Sequence, residues 1–491
     1  MPPNDVASET SPARAQALRE IDDLPGPRAL PLIGNLHQVE VGCIHQVVEA
    51  WCRRHGTPFR FRLGSGRFVV VSDPETLAAI LRDRPDGFRR SDRIVAVARE
   101  MGLIVPGVFG AEGDTWRAQR RMVMASFDPG HIKAYFPSLL KVTRRLHVRW
   151  QKAARAGATI DLQADLMRFT VDTIAGLAFG TDINTLESDE DAIQRHLDKI
   201  FPALMKRMFS LVPYWRWFRL PADRELDRSV AAIGAAIDGF IVQARHRLAA
   251  DPALREHPRN LLEAMIVAAD ARDSGADGGL TDRDVAANVL TMLLAGEDTT
   301  ANTLAWMIHL LQRNPQARER ARDEVLRVAG DVASFSVERM NALDYIDACT
   351  QETMRLKPVA PFVVVQALRE TTIGDVRVPA STYVWCVMRA AGVDERQVPN
   401  AATFDPDRWL GGPGRTPPAS GLKRVTMPFG AGPRMCPGRY LALLEIKLTM
   451  SMLLAHFDIE RVDTPHGGDA VEHMAFTMAP VGLRMRLRER A

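Results

Sequence analysis

Cysteine is scarce in this chain. Five among 491 residues (Cys43, Cys52, Cys349, Cys386 and Cys436) are scattered, odd in number and never spaced C-x-x-C. That excludes a disulfide scaffold, a zinc ribbon and a redox dithiol, and the usage suits a reducing compartment. No stretch reaches the ~20 apolar residues that span a bilayer. The first residues mix Asp5, Glu9, Glu20, Asp22 and Asp23 with arginines around no apolar core, which excludes a secretory leader and argues against a mitochondrial one. A charge excess is missing too: 63 Lys and Arg face 60 Asp and Glu, a net +3. So small a surplus excludes a dedicated nucleic-acid binder. There is no H-E-x-x-H pair, no G-x-G-x-x-G after a strand and no fixed-period repeat. These absences describe a cytoplasmic protein with no nucleic-acid partner and no membrane anchor, expected to be a monomer.

What is present is ordinary for a globular fold, with 46% hydrophobic and 25% charged residues. Leu24-Pro25-Gly26-Pro27 and Pro31-Leu32-Ile33-Gly34-Asn35 predict a stiff, non-helical arm, because proline fixes φ and glycine permits turns. Two β-like runs, 59–63 and 68–72, flank the hairpin signal Gly64-Ser65-Gly66. From Glu75 onward amphipathic helices dominate, and strand-like stretches return around 376–378, 382–387 and the C-terminal end. The expectation is one mainly α domain with small β-sheets over residues 24–491, preceded by a flexible polar segment, 1–23.

The longest helical pattern starts at Thr281, where Asp284 completes a capping-box arrangement, and runs to Asn314 before Pro315. A helix of that length measures on the order of 50 Å and must cross the interior. Its middle nevertheless reads Gly296-Glu297-Asp298-Thr299-Thr300, and polar groups are expensive to bury. A Thr299 hydroxyl bonded back to the carbonyl of Ala295 would weaken the ladder and open a notch there.

Near the C-terminus stands Phe429-Gly430-Ala431-Gly432-Pro433-Arg434-Met435-Cys436-Pro437-Gly438. Its glycines allow the backbone to approach a flat ligand, and Pro437 suits the first position of the apolar helix that follows. Cys436 then sits at a helix N-terminus, where a thiolate is favoured and can ligate heme iron; a buried inert cysteine is the other reading.

This decapeptide fits F-x-x-G-x-R-x-C-x-G, and the chain resembles the cytochrome P450 family from Leu24 to its C-terminus. Four further motifs fall in that family's order: Trp116-Arg117-Ala118-Gln119-Arg120, Gly296-Glu297-Asp298-Thr299-Thr300, Glu352-Thr353-Met354-Arg355 and Phe404-Asp405-Pro406-Asp407-Arg408-Trp409. The resemblance is to soluble bacterial members, since no membrane anchor precedes the arm. It implies the single-domain cytochrome P450 fold, with a long central helix over heme b. It further implies Cys436 as the iron ligand and Phe429 in the heme-binding loop. Trp116, Arg120 and Arg434 would hold the propionates, Thr299 and Asp298 would deliver protons to bound dioxygen, and Glu352, Arg355 and Arg408 would form a buried ion network. E-x-x-R alone is uninformative: Glu225 to Arg228, Glu319 to Arg322 and Glu324 to Arg327 also fit it, and read as solvated i,i+3 pairs. The chain departs from the family where 362–365 reads Phe-Val-Val-Val in place of another propionate-binding Arg or His.

The implied activity is a heme-thiolate monooxygenase that hydroxylates or epoxidises a hydrophobic small molecule of the terpenoid, steroid, fatty-acid or polyketide class. A heme-thiolate isomerase or dehydratase, and a non-catalytic heme-binding protein, are the alternatives; the Asp298-Thr299 pair argues against the first and the lack of an output module against the second. Pocket residues are expected from 95–109, a lid at 201–220, 290–294, 361–364 and 474–480, strongly apolar with few fixed charges. No flavin or ferredoxin domain is evident in the chain. Electrons are therefore expected from a separate ferredoxin or flavodoxin, docking on Arg117, Arg121, Lys423, Arg424, Arg439 and Lys447.

Overall fold

Prolines 25, 27 and 31 hold the arm out of helix; Asn35 folds it by donating to the carbonyls of Pro27 and Arg28, and ties it to the first hairpin by accepting from the Arg62 N–H at 2.9 Å. The computed structural model describes residues 18–104, 107–187, 192–210, 212–271, 279–411 and 419–490. Strands β1 (Phe59–Leu63) and β2 (Gly66–Val71) pair antiparallel around a turn at Gly64 and Ser65, with Leu63 opposite Gly66, so the last glycine of the expected hairpin signal opens the second strand. Of the segment expected to be flexible, 1–17 lies outside the described residues. The rest is held: Arg19 pairs with Asp375 at 2.7 Å and forms a backbone bridge to Val376.

Besides the short Ile160–Asp161 and Thr371–Ile373, two strands of the main sheet escaped the sequence reading. They are β3 (Phe88–Arg90) and, later in the chain, Phe362–Ala367. Between them lie the helices that matter for the site. These are α1 (Asp92–Glu100), α2 (Gly113–Ser126), α3 (Leu162–Phe179), α4 (Ile200–Met208), α5 (Pro221–Ala250), α6 (Asp282–Arg313) and α7 (Asp344–Leu356). With β4 as Phe362–Ala367 and β5 as Tyr383–Val387, the main sheet has the order β1-β2-β5-β4-β3. The run 362–367 lacks the alternation of a half-buried strand: Phe362 to Val364 line the cavity while Val365 to Ala367 are buried in succession.

Helix α6 starts at the predicted cap. The Thr281 hydroxyl accepts from the Asp284 N–H, while Asp284 accepts from the Thr281 N–H at 2.9 Å. The helix ends before Pro315, with the Asn314 N–H bonded to Leu311 O. Nearly its whole second half is buried, and it packs on α3, whose Ile174 lies 3.3 Å from where a Cβ on Gly296 would stand. Helix α8 (Arg439–His456) crosses beneath, and the hairpin β6 (Glu472–Met474) and β7 (Met478–Pro480) closes on α6. The whole forms one mainly helical domain with small sheets.

Candidate functional site

The cysteine loop is built around two contacts. The Cys436 N–H donates to Phe429 O at 2.9 Å, folding the loop back on itself. Gly432, at φ +69°, passes so close to the end of the helix Pro74–Arg82 that a Cβ would stand 2.5 Å from Leu81 O, so only glycine fits. The expected helix start at Pro437 is corrected: Pro437 lies in a turn, Gly438 is the N-cap and α8 begins at Arg439. Cys436 therefore precedes the helix, on the wall of a cavity of about 850 Å³. Burial pushes its thiol up, while the Gly438 N–H and the charges of Arg120 and Arg439 pull it back toward thiolate. A coordinated cation would complete that ionisation.

Helix α6 forms another wall through Ala295, Gly296, Thr299, Thr300 and Thr303. The Thr299 hydroxyl donates to Ala295 O at 2.7 Å, as expected, and Thr303 repeats the pattern to Thr299 O at 2.8 Å. The helix continues through these back-bonds without interruption. Asp298 is placed differently from Thr299: it is absent from the cavity wall, and its Oδ2 accepts from the Thr477 hydroxyl at 3.1 Å. Burial pushes its carboxyl up to about 6. Glu297 is buried away from the cavity, with its carbonyl accepting from Thr170. Sequence reading missed Glu445 of α8, a cavity residue whose carboxyl burial drives up to about 8, against a hydrogen bond from Thr300.

The expected basic residues converge. Trp116 and Arg120 share one face of α2; the Arg434 guanidinium lies 4.6 Å from the Trp116 ring centre, and Arg120 donates to Met435 O at 2.7 Å. Two more arginines were not foreseen. Arg84 is buried with Nε and Nη2 unpartnered, and Arg90 stacks over Phe109 at 3.4 Å. Arg90 reaches the cavity because β3 pairs with β4, Arg90 opposite Val365. The stretch that lacks a basic residue thus positions one from its neighbour strand. Four guanidiniums here meet one carboxylate, Glu112, which pairs with Arg434. Burial pushes Arg434 down to about 10, and Arg84 and Arg120 add to the shift by repulsion. Unmet N–H groups and surplus positive charge on a cavity that also presents a cysteine sulfur fit heme, a flat group with two carboxylates and a metal centre.

Behind the loop, Glu352 and Arg355 are fully buried and paired twice, at 2.7 and 2.8 Å. Arg408 reaches Glu352 at 3.2 Å, and the indole of Trp409, not foreseen, donates to it at 2.9 Å. Arg355 also donates to the carbonyls of Gly392, Ala401 and Thr403, tying three turns of chain to one helix. Two of the accidental pairs are corrected, the first only in its surroundings: Arg322 does pair with Glu319 at 2.9 Å, but it is not solvated. Arg322 is buried and donates to Leu454 O and Phe457 O, and buried Glu324 caps α7 by accepting from Tyr345 and Ile346 N–H. The third, Glu225, is exposed and pairs with Lys199 instead of Arg228.

Every expected pocket segment contributes to the cavity, among them Val97 and Phe109, Leu204 and Met205, Met292, Phe362 and Phe476. Val105 and Pro106 lie outside the described residues, as does Leu211 of the lid. Part of the lid run covers the cavity, but Trp217 and Phe218 face solvent at 70% and 56% exposure. The expectation of few fixed charges is corrected as well, since Arg93, Glu100, Arg207 and Arg216 all line the lid end.

Residues 24–486 match the family model described as Cytochrome P450. The chain is 27% identical to Cytochrome P450 97B2, chloroplastic, of Glycine max, over 90% of this chain and 82% of that one. It is 26% identical to Self-sufficient cytochrome P450 monooxygenase CYP505E4 of Penicillium freii, over 96% of this chain but only 43% of that longer protein. In fold it superposes on the crystal structure of the cytochrome P450DA heme domain with a TM-score of 0.81, at 23% identity, covering 97% of this chain and 98% of that one. From its proline-rich arm to its last strand, the chain belongs to the cytochrome P450 family, heme-dependent oxidoreductases.

Proposed function

We propose that this P450 inserts oxygen into a C–H or C=C bond of a hydrophobic small molecule of terpenoid, steroid, fatty-acid or polyketide type. It would work in the cytoplasm with electrons from a separate ferredoxin or flavodoxin. What carries the reading is that the Cys436 sulfur and the Thr299 hydroxyl line one cavity whose other walls are largely apolar.

Heme held through a cysteine thiolate supplies the activation of dioxygen. The chain supplies the rest. Cys436 would ligate the heme iron, on a loop held by the Phe429 contact and by the Glu352–Arg355–Arg408 network behind it. Arg84, Arg90, Arg120, Arg434 and Trp116 would hold the propionates. Thr299 holds a proton at Oγ1; at rest it points to Ala295 O, and rotation about χ1 would present it to a ligand in the cavity. Asp298, shifted to about 6, carries a proton for part of the time near neutrality and serves as the reservoir. Phe109 and Phe476, 5.9 Å apart, exclude water.

The test is spectroscopic. The reduced protein with carbon monoxide should give the red-shifted Soret band of a thiolate trans to CO, and Cys436→His should abolish it even if heme is retained. A band that survives the substitution would assign the iron to another residue and end this reading. Substrate-dependent consumption of reduced cofactor with formation of an oxygenated product separates a monooxygenase from an isomerase or a carrier.

A further inference from the structure

The lid end of the cavity holds a guanidinium that the protein only partly satisfies. Arg207, on α4, is 2% exposed and lines the cavity. Its Nη2 donates to Asp223 at the start of α5 at 2.8 Å, and one face rests 5.0 Å from the centre of the Trp215 ring. Its Nη1 is buried with no acceptor among the described residues. An unmet charged donor in such a place is costly and uncommon, and a ligand oxygen is the partner that would remove the cost.

The charge around it indicates what kind of oxygen. Asp223 offsets Arg207 and also accepts from the Leu220 N–H at 3.1 Å. Glu100 accepts from the Trp215 indole at 2.8 Å and is paired with Arg216. Among the described residues Arg93, the third cavity arginine at this end, has no carboxylate partner and donates to Ser210 O, at 3.3 Å, in the turn that follows Arg207. Three cations against two carboxylates leave one positive charge under the lid, beside an open donor. The adjoining wall is apolar, formed by Val97, Leu204, Met205, Met208 and Phe476, the last stacked on Phe201 at 4.4 Å.

We infer that Arg207 and Arg93 form an anion subsite, which takes the carboxylate of an amphipathic acid whose hydrocarbon lies along the cavity. The subsite rests on the reading of this cavity as the substrate site, and it narrows the substrate from hydrophobic molecules in general to those with one terminal anionic group. A neutral ester of the same chain would leave the surplus charge unmet.

Dodecanoic acid and methyl dodecanoate, titrated at pH 8 into the heme-loaded protein, test the inference through the heme spin-state shift and calorimetry. The acid should bind on the order of tenfold or more tightly than the ester, the scale of one charge-assisted hydrogen bond. Arg207→Gln should weaken the acid about ten- to a hundredfold and leave the ester unchanged. Because that substitution strands Asp223, the exposed Arg93→Gln is the second variant. It leaves no buried charge behind, and should weaken the acid a few-fold without touching the ester. The inference is overturned by a wild-type protein with no preference for the acid, by equal losses for both probes in Arg207→Gln, or by an unaltered acid affinity in Arg93→Gln. If neither probe shifts the spectrum while the thiolate–CO band is intact, the substrate reading itself fails, and the subsite with it.

Discussion

The Thr477 hydroxyl donates to Oδ2 of Asp298 at 3.1 Å, joining the turn between β6 and β7 to the middle of α6. Thr477 in turn accepts from Asn302 at 3.3 Å, so the carboxyl is fixed from the side away from the cavity. Burial raises Asp298 to about 6, and the Thr477 hydrogen bond, which favours the charged form, opposes that rise. Turnover should therefore show an ionisation near pH 6, and Thr477→Val should move it upward. Asp298→Asn should slow product formation by about 10²–10⁴, the range for losing positioned proton transfer. Stability gives a second readout. A carboxyl raised in the folded state contributes fully below its unfolded value near 4 and loses that contribution as pH rises through about 6. The wild type should lose roughly 2–3 kcal/mol across that window relative to Asp298→Asn, measured by denaturant melts at pH 4 and pH 7. Identical pH dependence in the two proteins would place the carboxyl in water.

Thr299 faces the cavity, and its partner Ala295 O is its own helix backbone. Thr299→Ala removes no buried hydrogen bond that another element depends on, so heme content and substrate-induced spin shift should be preserved. Product per reduced cofactor should fall severalfold, with the missing electrons recovered as hydrogen peroxide. An unchanged yield would take this hydroxyl out of proton delivery.

Glu352 accepts from Arg355, Arg408, Trp409 and the Asp405 N–H. Replacing it by Gln leaves the Arg355 charge buried without its counter-ion, at a cost of about 3–5 kcal/mol. Glu352→Gln should melt at lower temperature and release heme on gel filtration. Arg408→Lys should be milder than Glu352→Gln but not silent. A lysine cannot hold Pro399 O, Asn400 O and Glu352 together, as Arg408 does at 2.6, 2.8 and 3.2 Å. A Glu352→Gln protein with wild-type melting and heme retention would show the network to be dispensable.

Features written locally were legible in the sequence. The cap chemistry of Thr281 and Asp284 marks the start of α6, Gly64 to Gly66 mark the first hairpin, and the threonine back-bonds follow from residue type at i and i−4. Arg84 and Arg90 were not legible, because nothing near them in sequence tells a cavity arginine from a surface one. Arg90 arrives through the pairing of β3 with a strand more than 270 residues later, at Arg89 opposite Gln366. Glu324 was misread for the same reason: its partners are the first N–H groups of α7, 21 and 22 residues on. Asp298 shows the limit within one helix. Sequence placed it beside Thr299, but the 100° step between neighbours sends it to the hairpin instead of the cavity.

Electron delivery turns on charges that the structure reveals to be partly spent. Of the six basic residues expected on the docking face, Arg117 pairs with Asp86 at 2.5 Å and Asp114 at 2.7 Å, Arg424 with Glu75 at 2.6 Å, and Lys447 lies 3.9 Å from Asp347. Arg439 rests 5.6 Å from the Phe429 ring centre. Six cations against these four carboxylates leave a net of two positive charges, because Arg117 takes two carboxylates; among the described residues Arg121, Lys423 and Arg439 are exposed with no carboxylate partner, and Arg439 lies beside Cys436. Steering of an acidic ferredoxin should accordingly be modest and carried mainly by Arg121 and Lys423, since complementary charge speeds encounter more than it tightens binding. Raising ionic strength should slow reduction of the wild type, because screening sets in beyond about 8–10 Å. Arg121→Glu combined with Lys423→Glu turns the surplus into a deficit of equal size. At low salt that variant should be reduced on the order of tenfold more slowly, and added salt should now speed it, the sign opposite to wild type. The substrate-induced spin shift should not change, which separates docking from damage to the cavity. Stopped-flow reduction rates that respond neither to salt nor to the double reversal would rule out electrostatic docking on this face.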